Sequence, residues 1–187
     1  MSDKLRDTIP ELGFKILKTT IVTIFLCLLM NVSFGVLATA IGNLGLLNQI
    51  FNIALSGVMV FGILCDSGNK DANLQSFGKI KISYKRGFLA GLFSLIPFYV
   101  IALPVLIMKI FSVELFSSYL KVARLLSSPF TVIYQNIFIN TEIENVSYLQ
   151  ILLLFVIPLI LVLICGVSYV LGTKKFTFGE KIIYKNK

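Results

Sequence analysis

Four apolar runs dominate this chain, at residues 19–41, 44–65, 87–111 and 148–172. A helix that crosses a bilayer needs about 20 mostly apolar residues, and each run reaches that length. None contains a charge except Lys109, near the end of the third, whose stem can carry its ammonium to the headgroups. A segment surrounded by lipid has to satisfy its own backbone hydrogen bonds, so each run is expected to be helical. Composition agrees. Only 14% of residues are charged, 57% are hydrophobic and mean hydropathy is +0.90, whereas a soluble domain carries about 25% charged residues. The expected fold class is all-α: an integral membrane helical bundle with four transmembrane helices, forming a single domain over residues 1–187. A basic loop (66–86), an outer loop (112–147) and a tail (173–187) complete it.

The first run could be mistaken for a signal peptide, because Ala38-Thr39-Ala40 imitates a cleavage site. Its apolar stretch exceeds a signal h-region, and Asp3, Asp7 and Glu11 precede it, so an uncleaved span is expected. The basic residues set direction. Lys4, Arg6, Lys15 and Lys18 precede the first span. Lys70, Lys79, Lys81, Lys85 and Arg86 lie in the second loop, and Lys174, Lys175, Lys181, Lys185 and Lys187 in the tail. With both termini cytoplasmic in a cell membrane, these fourteen of the seventeen Lys and Arg face inward, as the positive-inside rule requires. The net charge of +8 is then explained by topology and anionic lipid rather than by nucleic acid.

The outer loop is long for a connection. Residues 114–128 are patterned as an amphipathic helix, with Leu115, Phe116, Tyr119, Val122, Ala123 and Leu126 on one side and Ser117, Lys121, Arg124 and Ser128 on the other. It is expected to lie in the outer interface and to stop at Pro129. The following "PFTVIYQNIFIN" is apolar but short. Either it dips in or packs on the bundle, or it spans as a fifth helix and puts the lysine-rich tail outside.

Helices in lipid associate through small residues and occasional polar ones. In the first span Thr20, Thr23, Cys27, Asn31, Gly35, Ala38 and Gly42 recur at steps of three and four. The second carries Asn48, Gln49, Asn52 and Ser56 on one face, and a tight turn makes the two spans a hairpin. Two readings of this polar face stay open: a seam of interhelical hydrogen bonds, or the lining of a cavity for a small solute. Gly87 and Gly91 begin the third span with a close-packing GxxxG spacing, and Pro97, Pro104 and Pro158 are expected to bend the third and fourth.

The loop 66–86 reads "DSGNKDANLQSFGKIKISYKR" after Cys65. Counting from Asp66, the sixth residue is Asp71 and the twelfth Phe77, so it is no calcium loop, which needs Gly and Glu there. A helix stop followed by Asx turns is expected. Beyond it, Ile80, Ile82 and Tyr84 alternate with Lys79, Lys81, Ser83 and Lys85. That alternation could pair with the similar tail as a small ribbon, or lie on the membrane. Either way Lys79, Lys81, Lys85, Arg86, Lys174 and Lys175 are candidates for contact with anionic lipid headgroups or a partner.

Chemistry-bearing patterns are sparse. Cys27, Cys65 and Cys165 are far apart and suit apolar packing. With no histidine there is no Ser–His pair, and no GxSxG, Walker or GxGxxG motif occurs. No catalytic residue, metal or cofactor is expected.

The polar "DSGNKDANL" leading to "RGFLAGL", and the ending "LGTKKFTFGEKIIYKNK", resemble small multi-pass membrane proteins of low-GC Gram-positive bacteria. The Lys, Ile and Asn bias fits such a genome. That resemblance covers most of the chain and implies no particular activity. The substrate-binding subunits of energy-coupling-factor vitamin transporters are similar in size but are expected to have six helices. The expectation for function is a non-catalytic accessory or scaffold protein that assembles, through helix packing and its basic cytoplasmic loop, with a membrane partner or a second copy of itself. The alternative is a solute-binding or transport component using the polar face. A self-protection protein against membrane-active peptides has only size and charge in its favour.

Overall fold

The computed structural model describes residues 6–41 and 44–174, with the side chains of 38–41 outside the description. Among the described residues the chain is helical, with no strand. In order come α1 (Ile9–Ile41), α2 (Gly45–Ser76), α3 (Lys85–Gly91), a short 3-10 turn (Leu92–Leu95), α4 (Ile96–Ile110), α5 (Phe116–Leu126), α6 (Thr131–Ile137), α7 (Tyr148–Val156) and α8 (Leu159–Thr173). Four helical stretches are long and apolar enough to cross a membrane: Ile9–Leu37, Gly45–Ser76, Lys85–Ile110 and Tyr148–Thr173. The third joins α3 to α4 and the fourth α7 to α8. They run alternately up and down, so the start of α1, the end of α2, the start of α3 and the end of α8 share one end of the bundle. That end holds most of the described Lys and Arg and is called the basic end below.

α1 starts ten residues before the apolar run. Thr8 and Glu11 close a reciprocal cap: the Thr8 N–H donates to Glu11 Oε2 at 2.8 Å and the Glu11 N–H to Thr8 Oγ1 at 3.4 Å. Pro10 sits in the first turn, where its missing N–H has no consequence. α7 starts on the same device, with Ser147 as cap and Gln150 as its partner.

The expected stop at Asp66 does not occur: α2 continues unbroken to Ser76. Its inward stripe, Asn48, Asn52, Ser56, Val60, Leu64, Ser67 and Asp71, keeps helical spacing, and Asp71 finds partners on three other segments. Asp66 and Lys70, one turn apart, pair at 2.8 Å on the exposed side. The helix ends at Gly78, whose φ of +69° is the left-handed conformation glycine adopts freely. The Gly78 N–H donates to Gln75 O and the Lys79 N–H to Leu74 O, a Schellman close. Beyond it, the alternating residues 79–84 form no strand, and the tail segment proposed to pair with them lies outside the described residues.

Small residues set the closest helix contacts. A Cβ on Gly68 would stand 2.3 Å from the Tyr169 carbonyl oxygen, and one on Gly172 would stand 2.2 Å from that of Cys65. α2 and α8 therefore meet backbone to backbone. Gly87 and Gly91 lie against Tyr169 and Cys165 in the same way. Gly35 does not: a Cβ there would meet nothing within 4 Å. It faces a cavity instead of packing, a correction to its expected role.

The segment 112–147 carries much of the apolar core at the other end. Phe116, Leu120, Ala123, Phe130, Tyr134, Phe138 and Val146 pack against Phe98, Val105, Ile151 and Leu154. The buried stripe of α5 is Phe116, Leu120 and Ala123, while Leu115, Val122 and Leu126 are exposed. The expected apolar face is thus rotated: Phe116, Leu120 and Ala123 join the core cluster that holds Phe98, Ala102 and Val105 of α4. α6 has seven residues, about 10 Å at 1.5 Å each, and cannot cross a 30 Å core. It is tucked into the bundle, and Arg124 Nη1 closes it on the Phe138 carbonyl at 2.7 Å. Lys109 donates to the Ile143 carbonyl and sits 5.7 Å from the Tyr148 ring centroid, holding α4 to the segment 112–147.

Candidate functional site

Two polar clusters interrupt the apolar interior. The first lies between α1, α2 and the turn into α6, and Asn31 is its centre. The Asn31 Oδ1 accepts from Asn48 Nδ2 and from Asn52 Nδ2, both at 2.7 Å. Its Nδ2 donates to Ser128 Oγ at 2.6 Å and Thr131 Oγ1 at 3.1 Å. An amide side chain has two acceptor positions and two donor hydrogens, and Asn31 uses all four inside the protein. Asn48 Oδ1 accepts the second Asn52 hydrogen at 2.9 Å. Gln49 pairs with backbone, donating to the Pro129 carbonyl at 3.0 Å and accepting from the Ile133 N–H at 3.3 Å. Ser56 Oγ donates to the Asn52 carbonyl at 2.8 Å, with Cys27 Sγ alongside. The buried Asn52 Oδ1 is the atom of this seam without a partner.

The seam therefore consists of the predicted Asn31, Asn48, Gln49, Asn52 and Ser56 plus residues that sequence reasoning did not connect to it. Ser128, Pro129, Thr131 and Ile133 come from a segment some eighty to a hundred positions away. A cavity of about 360 Å³ opens beside it. Asn31, Asn48, Thr131 and Gln135 form its polar edge, and the rest of its wall is mostly apolar side chains with Gly35 among them.

The second cluster lies at the basic end around Asp71, which is 1% exposed. Arg6 approaches it side-on, Nε to Oδ1 at 3.0 Å and Nη2 to Oδ2 at 2.7 Å. Arg86 Nη1 donates to Oδ2 at 2.6 Å, and the Tyr169 hydroxyl donates to the same oxygen. Arg86 Nη2 donates to the Asp7 carbonyl. Three chain segments are thereby tied to one carboxylate on α2. Burial acts to lower the Arg6 pKa, but the hydrogen bond and charge of Asp71, with Tyr169, outweigh it and hold the guanidinium above its ordinary value.

Comparison of the chain with protein families, curated proteins and solved structures finds no match. What the clusters can do has to be read from their own chemistry.

The first cluster is neutral, and Asn31 at its centre is saturated while Asn52 Oδ1 is not. The second is charged and buried, and it corrects one expectation: Arg86, taken as a surface contact for lipid, is 4% exposed and turned inward to Asp71. Lys79, Lys81, Lys85 and Lys174 are exposed. Gly42, Lys175 and the Ala38 side chain lie outside the described residues. Arg6, Asp71 and Tyr169 were missed. Their signal was the helical spacing from Ser67 to Asp71, which the Asp- and Asn-rich composition disguised as a turn. Among the described residues no group of His, Cys, Asp or Glu is arranged to hold a metal ion.

Proposed function

We propose that this chain is a non-catalytic multi-pass membrane protein that acts by assembling with a membrane partner or with a second copy of itself. Its termini and the loop 77–84 face the cytoplasm, and the segment 112–147 faces out. The observation that carries this reading is the saturation of Asn31. Every hydrogen-bonding position of the residue at the centre of the polar face is engaged within the chain. A solute could be gripped by Asn31 only by breaking bonds already made, so in this reading the residue serves to join α1, α2 and the segment 112–147. The orientation is supported by the exposed Lys79, Lys81, Lys85 and Lys174 at the basic end, where each near an anionic surface contributes about 1 kcal/mol. The exposed Leu115, at the start of α5, and Val122 and Leu126 within it fit an outer interface.

The cavity of about 360 Å³ beside Asn31 and Asn48 favours a second reading, a component that binds a small, largely apolar solute. Reconstitution separates the two. The purified chain in liposomes should give no saturable uptake of small neutral solutes over empty vesicles. In native membranes, photo-crosslinking from position Lys81 should trap one discrete protein adduct. Saturable uptake with no adduct would reverse the order of the readings.

A further inference from the structure

At the basic end, two guanidiniums face one carboxylate. Arg6 and Arg86 bring two positive charges, Asp71 returns one negative charge, and one positive charge remains. Asp7 does not cancel it, because its own carboxylate is paired with Lys15 at 2.7 Å. The donors are also in excess. An arginine has five N–H hydrogens; Arg6 spends two on Asp71, and Arg86 spends one on Asp71 and one on the Asp7 carbonyl. The Nε of Arg86 is buried with no acceptor among the described residues. Both arginines line a cavity of about 330 Å³ together with Asp7, Thr8 and Ser83. The Ser83 side chain is exposed, and Arg6 keeps 30% of its side chain accessible. Ile9 and Leu89 form the apolar rim, and both are exposed.

The geometry points to a binding site for a phosphate ester in this cavity, held by Arg6 and Arg86 with the Thr8 and Ser83 hydroxyls. Guanidinium suits the several acceptor oxygens of phosphate better than ammonium does. The net positive charge excludes cations, and the apolar rim suits an ester arm that continues into lipid. This site differs from diffuse attraction to the exposed lysines, because it is a cavity that holds one buried guanidinium, that of Arg86, and it stands whether or not the assembly reading does. The ligand is an anionic lipid headgroup or a soluble phosphate ester, which share this chemistry.

The test uses the full-length protein in a nonionic detergent, with binding followed by thermal shift and native mass spectrometry. The probes are phosphatidylglycerol, phosphatidylcholine and glycerol 3-phosphate. One phosphatidylglycerol should be retained per chain in preference to phosphatidylcholine, and Ser83→Asp should weaken it about tenfold by placing a carboxylate in the cavity. Ser83→Lys controls for bulk and should bind at least as tightly as the parent. Lys79→Gln, Lys81→Gln and Lys85→Gln combined should leave affinity within about twofold, because they act only through screened surface charge. Binding and protection by glycerol 3-phosphate would identify a soluble ester as the ligand, and its failure beside retained phosphatidylglycerol would identify the headgroup. The inference is overturned if neither phosphate probe binds better than phosphatidylcholine. It is equally overturned if Ser83→Asp binds like the parent, or if the lysine variant loses as much as Ser83→Asp.

Discussion

Asn31 on α1 accepts a hydrogen bond from Asn52 on α2 at 2.7 Å, and the same Asn31 donates outward to Ser128 and Thr131. One side chain thus joins the first two spans to the segment that closes the far end of the bundle. Replacing Asn31 with Ala leaves the Asn48 and Asn52 amides without their acceptor in an apolar interior. Each lost contact costs about 0.6 kcal/mol in a membrane helix pair, and the orphaned groups raise the total to about 2 kcal/mol. Thermal unfolding of the purified protein should show it. Ser33→Ala, which removes a bond only to its own helix on an exposed face, should leave the midpoint unchanged.

Asp71 is the common acceptor at the basic end. Asp71→Asn leaves Arg86, 4% exposed, with no counter-charge. Removing one partner of a buried pair costs about 3–5 kcal/mol. Adding Arg86→Gln should recover part of that loss, so the double variant should melt above the sum of the single effects. Strict additivity would mean that the pair is not coupled in the folded protein.

The contact of α2 with α8 depends on hydrogen at two Cα positions. Gly172→Ala would put a Cβ 2.2 Å from the Cys65 carbonyl oxygen. Because backbone cannot rotate away, the helices must separate, at about 1–3 kcal/mol. Gly62→Ala meets nothing within 4 Å and should be neutral or slightly stabilising in the same melting experiment.

Pro158 separates α7 from α8 and has no N–H to offer the Leu154 carbonyl. The Tyr134 hydroxyl donates to that carbonyl at 3.3 Å. Tyr134→Phe should cost about 1 kcal/mol. In a Pro158→Ala background, where the backbone can supply the donor itself, the same change should cost less. Equal costs in both backgrounds would show that the hydroxyl does not substitute for the missing amide.

These relationships mark what the sequence disclosed. Lipid demands length and apolarity, so the four long helices were readable from composition alone, as were the inward polar residues of α1 and α2 from their three- and four-residue spacing. The start of α1 was also readable, since Thr8 and Glu11 stand three apart around Pro10, but the apolar run drew attention past it. The continuation of α2 through "DSGNKDANLQS" was not readable from local preference. Asp, Asn, Ser and Gly favour turns there, and only the distant Arg6, Arg86 and Tyr169 make a buried Asp71 tolerable. The partners of Asn31 in the segment 112–147 were hidden for the same reason. A hydroxyl pair in a loop carries no local mark of the amide it will meet some hundred residues away.

The central claim is that the polar seam is closed to water, and Cys27 is placed to report on it without disturbing it. Its thiol is 0% exposed and lies 3.6 Å from the Asn52 carbonyl oxygen. With Cys65 and Cys165 replaced by Ala, and an exposed Asn145→Cys compared in a separate variant lacking Cys27 as well, labelling by a small charged thiol reagent gives the answer in intact cells and in opened membranes. The account predicts that Asn145→Cys reacts while Cys27 stays silent from both sides. Reaction of Cys27 at a rate near that of Asn145→Cys would mean that water reaches the seam, and the solute-binding reading would replace the assembly reading.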